Sequence, residues 1–174
     1  MNTTYAEEWP QFYTATILNW HHLLKDDKCK DIIIESLQFL TKQKHITLYG
    51  FVIMSNHIHL ICQPQAGQTI STVQSSFMKY TAQQFKRYLQ NSNTALLETF
   101  KVNKYDRAYQ LWKREPLHIE LILPSVFDQK LEYIHYNPVK AGLCIYPEEY
   151  HYSSAKFYHT GIDDFKMLTH YSGN

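Results

Sequence analysis

Residues 51–62 read FVIMSNHIHLIC. Two β-rich runs, Ile46–Met54 and Ile58–Gln63, meet at Ser55-Asn56, a dipeptide suited to a tight turn. The stretch predicts an antiparallel hairpin, and the rest of the chain is read outward from it. Upstream, residues 27–42 carry Cys29, Ile33, Leu37 and Leu40 at helical spacing, with Asp26 or Asp27 available as N-cap. Before that helix, FYTATILNW over Phe12–Trp20 is rich in aromatic and β-branched residues and predicts a strand. Downstream, a second helix is expected over about Ile70–Leu89, with Val73, Phe77 and Tyr80 inward and Lys79, Gln83 and Lys86 outward. Asn91–Lys104 reads as a loop, and a further strand falls within Leu117–Leu123.

A third helix opens after Pro124-Ser125, where Ser125 and Asp128 resemble a capping box. It is expected to end near Asn137, because Pro138 disfavours helical geometry at the residue before it. The resulting order, β-α-β-β-α-β with a terminal helix, is the split βαβ pattern. The fold class expected is therefore α+β and ferredoxin-like, an antiparallel sheet with helices on one face plus a C-terminal helix. One domain covers residues 1–174. That architecture hosts many activities, so function has to come from particular residues.

Composition narrows the classes. The chain has 174 residues, 44% of them apolar and 19% charged, with only 5 Gly and 6 Pro, which excludes disordered, collagen-like and low-complexity chains. No apolar run approaches the length of a bilayer span, and MNTTYAEEWP lacks the basic and apolar regions of a leader, so no membrane partner is expected. Cys29, Cys62 and Cys144 are odd in number and form no Cys-x-x-Cys pair. Neither a disulfide framework nor a cysteine zinc site is expected, and a cytoplasmic location follows by default.

The formal charge is only +1, yet the stretch from Lys79 to Arg114 carries +6 and the remainder −5. Lys79, Lys86, Arg87, Lys113 and Arg114 alternate there with Phe77, Tyr80, Phe85, Tyr88, Tyr105, Tyr109 and Trp112. Such charges also suit a solvated surface. The aromatic interleaving fits single-stranded nucleic acid, which offers phosphates to neutralise and bases to stack.

The densest chemistry lies at His57-Ile58-His59. On a strand these two histidines share a face, roughly 7 Å apart along the backbone, while Ile58 points to the other side. Two imidazoles at that spacing can converge on one transition metal, and burying them unpaired would be costly. On the third helix Lys130, Tyr133 and Asn137 fall on one stripe beside Phe127, Leu131 and Ile134. A tyrosine hydroxyl, an amide oxygen and a cation thus share a surface. Chemistry alone does not prefer Tyr133 over Tyr136 or Tyr80 among the 14 tyrosines.

FVIMSNHIHLI, LWKREPLHIEL, KLEYIHYNPVKAGL and YPEEYHYSSAKFY, in this order, resemble the REP-associated tyrosine transposases. These are relatives of the insertion-sequence 200 group within the single-tyrosine HUH nuclease superfamily. The likeness runs from Phe12 to about Tyr158, with YIHYNPVKAGL its most specific block and Ser55 standing where relatives usually carry proline. The resemblance implies a DNA endonuclease and strand transferase that attacks single-stranded DNA through a tyrosine at hairpin-associated sites, leaving a 5′-phosphotyrosine link. It implies His57, His59 and Asn137 as ligands of Mg2+ or Mn2+ and Tyr133 as the catalytic nucleophile. Lys79, Lys86, Arg87, Lys113, Arg114, Lys130 and Lys140 are the expected DNA contacts, and relatives leave room for a homodimer. A non-catalytic single-stranded nucleic-acid-binding module on the same fold is the alternative. An unrelated metallohydrolase, with Glu132 as base, ranks behind both.

Overall fold

A computed structural model describes residues 8–65 and 67–172. The reading of Met1–Glu7 as free of a leader lies outside them. Strand β1 (Gln11–Thr16) is followed by α1 (Asp27–Lys42), β2 (Ile46–Ile53), β3 (His57–Pro64) and α2 (Ile70–Ser92). Then come α3 (Thr94–Glu98), β4 (Lys101–Lys104), β5 (Arg107–Tyr109), β6 (Leu117–Glu120), α4 (Pro124–Lys140) and α5 (Ala155–Thr160). The four-stranded sheet has the order β2-β3-β1-β6, all neighbours antiparallel. This is the α+β architecture expected of a split βαβ chain.

Strand alternation decides what each face receives. Tyr13, Ala15, Ile58, Leu60 and Cys62 point to one side and pack under α1 and α2. Phe12, Ile61 and Val52 point to the other, where α4 covers them with Phe127 and Ile134. The approach of α4 is close because Gly50 has no side chain: a Cβ there would sit 2.8 Å from Leu131 Cδ1. The β2 edge is sealed by the C-terminal segment, with Ile53 N–H donating to Tyr152 O and Thr169 N–H to Leu48 O, each at 2.9 Å. At the opposite edge β6 is exposed along its whole length.

The helices follow local chemistry. The Asp26 carboxylate caps α1 by accepting from Lys28 N–H at 2.9 Å. On α2 the buried stripe is Val73, Phe77, Thr81, Phe85 and Leu89, whereas Tyr80, expected inward, is exposed. Thr81 takes the inward place because its hydroxyl is satisfied twice, donating to Phe77 O at 2.8 Å and accepting from Trp112 Nε1 at 2.9 Å.

Further expectations change. The strand expected over Phe12–Trp20 ends at Thr16, and Leu18–Trp20 forms a single 3-10 turn in which Asn19 and Trp20 take positive φ. The segment 91–104 is not a loop. Asn93 caps α3 through Leu96 N–H, and buried Leu97 and Phe100 anchor the approach to the β4–β5 hairpin. Helix α4 starts at Pro124 itself, after Leu123 as N-cap, and no Ser125–Asp128 capping box forms. Proline at the first helical position loses nothing, since that N–H has no intrahelical partner anyway. Helix α4 also runs through Pro138 to Lys140. Pro138 is buried, and Leu143 N–H bonds its carbonyl at 2.9 Å while Gly142, at φ +70°, closes the turn. Burial plus this Schellman closure outweighs the backbone preference at Asn137.

Candidate active site

The site lies where β1, β3 and α4 meet. His57 and His59 project from β3 toward α4, with ring centroids 4.9 Å apart. Antiparallel pairing sets Thr16 opposite His57 and Thr14 opposite His59. The Nδ1 of His59 lies 2.8 Å from Thr14 Oγ1, and the Nδ1 of His57 lies 2.7 Å from Asn56 Oδ1. Phe12 stacks on His59 at 5.3 Å with the rings 21° apart.

Burial controls the charge of this pair. It pushes the His59 pKa down to about 3, with His57 and Lys130 adding positive charge in the same direction. Burial also lowers His57. Both rings are therefore neutral at pH 7, the form that ligates metals. The His59 Nε2 is buried and has no hydrogen-bond partner. An orphaned buried nitrogen costs on the order of 1–3 kcal/mol unless something satisfies it, and a cation would do so. The pair therefore fits a divalent ion on chemical grounds. Among the described residues no group of three or more His, Cys, Asp or Glu side chains completes a metal cluster. A further ligand from the described residues of this chain would be of another type, such as the amide of Asn137.

Helix α4 brings Tyr133 over this pair, its ring 5.4 Å from His59 and 6.1 Å from Phe12. Tyr133 is 41% exposed, so its hydroxyl can meet a substrate. Tyr136 and Tyr80 are exposed too, but neither ring pairs with a site histidine among the described residues. The Nζ atoms of Lys130 and Lys140 each lie 5.6 Å from the Tyr133 ring centre, and Lys130 Nζ also sits 4.8 Å over Phe12. Asn137 is half-buried one turn beyond Tyr133. The structure thus brings His57, His59, Tyr133, Lys130 and Lys140 together, with Asn137 on the same helix.

The other expected cations lie elsewhere. Lys79, Lys113 and Arg114 line a groove of about 380 Å³ with Arg107, between α2 and the segment leading into β6. Lys86 lies 5.0 Å over the Tyr109 ring beside it, and Arg87 is exposed on α2. Lys113 N–H donates to Thr16 O at 2.7 Å, which ties this segment to the end of β1, while α2, the groove's other wall, packs on the sheet face opposite the histidines. Sequence reading missed Phe12, Thr14 and Asn56. Alternation along β1 does put Phe12 and Thr14 on one face, but only the β1–β3 register reveals which histidine Thr14 meets.

A family model described as IS200-like transposase matches residues 15–118. The chain belongs to that family. The matched residues include both histidines and end before Tyr133. A solved REP-associated tyrosine transposase, bound to a REP hairpin, aligns over 100% of this chain and 96% of its own at 14% identity, with a TM-score of 0.64. The fold shared with that structure therefore includes α4, beyond the residues the family model matches. A crystal structure assigned to a transposase of Deinococcus radiodurans R1 shares 16% identity at a TM-score of 0.48, over 77% of this chain and 94% of that one. No curated protein matches the chain. Among the described residues of this IS200-like transposase, no helix is long and apolar enough to cross a membrane.

Proposed function

We propose that this IS200-like transposase cuts and rejoins single-stranded DNA at hairpin-associated sites, with Tyr133 as the attacking group. The observation that carries this reading is the Tyr133 ring standing 5.4 Å from His59, whose Nε2 is buried and unpaired. Tyr133 Oη attacks a backbone phosphorus, the bond from phosphorus to the 3′ oxygen breaks, and that oxygen leaves as a 3′-hydroxyl. Solvent takes the phenolic proton and returns one to the leaving 3′ oxygen, and the DNA 5′ end stays on the tyrosine as a phosphodiester. Bond energy is conserved, so a free 3′-hydroxyl can reverse the step and join strands.

His57, His59 and Asn137 would hold Mg2+ or Mn2+, which supplies Lewis-acid polarisation of the phosphate. Lys130 and Lys140 bring positive charge over the Tyr133 ring, beside the hydroxyl to which an incoming phosphodiester brings negative charge. The groove of Lys79, Arg107, Lys113 and Arg114, on the α2 side of the sheet, would take DNA that continues past the sheet edge, with Lys86 and Arg87 as outer contacts. The hairpin held by the REP-associated neighbour favours a folded DNA substrate. Such a protein works in the bacterial cytoplasm, where its DNA is. A homodimer is compatible with the exposed β6 edge.

The test is a denaturing gel. Labelled single-stranded hairpins, drawn from repeats flanking the gene, are incubated with protein and Mg2+ or Mn2+, or with chelator. A metal-dependent, denaturation-resistant adduct is expected, and Tyr133→Phe should lose it while still binding DNA. An adduct that persists in Tyr133→Phe overturns the nucleophile. Salt-sensitive binding with no adduct and no metal requirement would instead favour the non-catalytic module.

A further inference from the structure

The two site histidines are held by different devices, and both devices act on the same ring atom. His57 is held by its own turn: Asn56 Oδ1 lies 2.7 Å from His57 Nδ1. His59 is held across the sheet: Thr14 Oγ1 lies 2.8 Å from His59 Nδ1. An amide oxygen only accepts, so His57 Nδ1 carries the proton and its Nε2 presents a lone pair. For His59 the same tautomer is favoured, since Nε2 is buried without a partner and a proton there would be an unsatisfied donor. Each imidazole then offers Nε2 as the free nitrogen.

We infer that Thr14 and Asn56 are positioning residues that fix both imidazoles as Nδ1–H tautomers, so that the two Nε2 atoms are prepared together for a divalent cation. This rests on the metal-binding reading above, and concerns the residues behind the ligands. Oriented ligands bind metals more tightly because the cost of selecting tautomer and ring angle is met during folding.

The support behind Asn56 is unusually complete. Its carbonyl accepts from Ile17 N–H at 2.8 Å, and the Ser55 carbonyl accepts from Leu24 N–H at 2.9 Å. His22 Nδ1 lies 2.8 Å from Ser55 Oγ, and Met54 N–H closes the turn on His57 O at 2.9 Å. The segment 17–24 thus clamps the Ser55-Asn56 turn from outside. Thr14 is fixed differently, at the centre of a strand paired on both sides. Phe12, two residues earlier, stacks on His59 and restricts its ring plane.

The experiment uses the full chain with Mn2+ alone, without DNA. Thr14→Val keeps the β-branched shape and removes the oxygen; Thr14→Ser restores it. Asn56→Ala removes the amide, and Asn56→Asp keeps an acceptor. Mn2+ affinity is read by titration against the electron paramagnetic resonance signal of the free ion. The imidazole 15N shifts of metal-free protein report the tautomer directly. Thr14→Val and Asn56→Ala should each weaken Mn2+ binding by about 10–100-fold, with Thr14→Ser and Asn56→Asp recovering most of it. The wild-type spectrum should show Nδ1–H on both rings, and Thr14→Val should mix the His59 tautomers without moving those of His57.

Wild-type rings found as Nε2–H tautomers would overturn the inference, as would Val and Ala variants that bind Mn2+ like wild type. If wild-type protein binds no Mn2+, the metal reading of the site falls. The 15N spectra then still decide whether Thr14 and Asn56 set the tautomers.

Discussion

On the face covered by α1 and α2, a continuous core runs from Tyr13 and Ile17 through Ile33, Leu37 and Phe51 to Phe77, Phe85 and Trp112. Under α4, the fully buried apolar set among the described residues shrinks to Phe12, Val52, Met54, Ile61, Leu121, Phe127 and Ile134. The same strands supply both faces, because neighbouring residues on a strand alternate sides. Ile58 enters the large core while His57 and His59 on either side of it enter the site. The contrast teaches that the sheet separates two tasks by one-residue alternation: the large core supplies stability, so the small one can accommodate a pair of neutral histidines and a half-exposed tyrosine.

That division can be broken most directly by deleting a ring from each side. Phe85 is fully buried in the large core, so Phe85→Ala should cost about 3–5 kcal/mol. Phe12 is buried too, but its neighbours are His59, Tyr133 and the Lys130 ammonium. Phe12→Leu keeps most of the apolar volume and should cost less than about 1.5 kcal/mol, while the tyrosine adduct falls sharply. Urea denaturation together with the adduct gel reads both. Equal stability losses with unchanged adduct formation would mean the two faces are not divided in this way.

The sheet and its large core were legible from periodicity. The apolar residues of α1 and the runs on either side of Ser55-Asn56 carry a period that only one structure satisfies. The His57–His59 pair was legible for the same reason, as a strand fixes which residues share a face. The α3–β5 region was not, because Leu97 and Phe100 are isolated anchors that form no repeat. Nor was the passage of α4 through Pro138, where tertiary burial and the Schellman closure override a local backbone preference against helix. Thr14 stayed hidden because its role depends on register, which is a property of two strands and is written in neither.

A second way to sharpen the comparison is acid. Among the described residues, the histidines whose pKa is lowered are His57, His59 and His135, all on the α4 side. His135 lies on α4 with Nε2 2.8 Å from Ser154 Oγ, and burial pushes its pKa down to about 4. Above pH 7 it is neutral whether folded or unfolded, and its contribution is complete. As pH falls below about 6.5 the unfolded chain takes up a proton that the folded chain refuses until about pH 4. Stability should therefore fall with falling pH across that window, by up to about 3 kcal/mol from His135. His135→Gln keeps a donor for Ser154 and should flatten the profile by one proton, measured as urea midpoints between pH 7.5 and 4.5. An unchanged slope would place the acid sensitivity elsewhere.

The smallest effect comes from the two helix ends. Both α1 and α4 close with a Schellman turn: His45 N–H reaches Leu40 O on α1, and Leu143 N–H reaches Pro138 O on α4, each at 2.9 Å. The residue forced into left-handed geometry is Gly142 on α4, at φ +70°, but Lys44 on α1, at φ +56°. A side chain in that region brings its Cβ against the following carbonyl, a cost that glycine avoids. The large core tolerates this strain at the end of α1, since the helix is held along its length by Cys29, Ile33, Leu37 and Leu40. Lys44→Gly should therefore raise stability by about 1 kcal/mol, a Tm increase of roughly 2–4 °C for a chain of this size. Adduct formation should stay the same, because Lys44 is on the connection to the far end of β2 from the histidine turn. A stabilised variant with altered adduct formation would show that strain on the large-core side does reach the site.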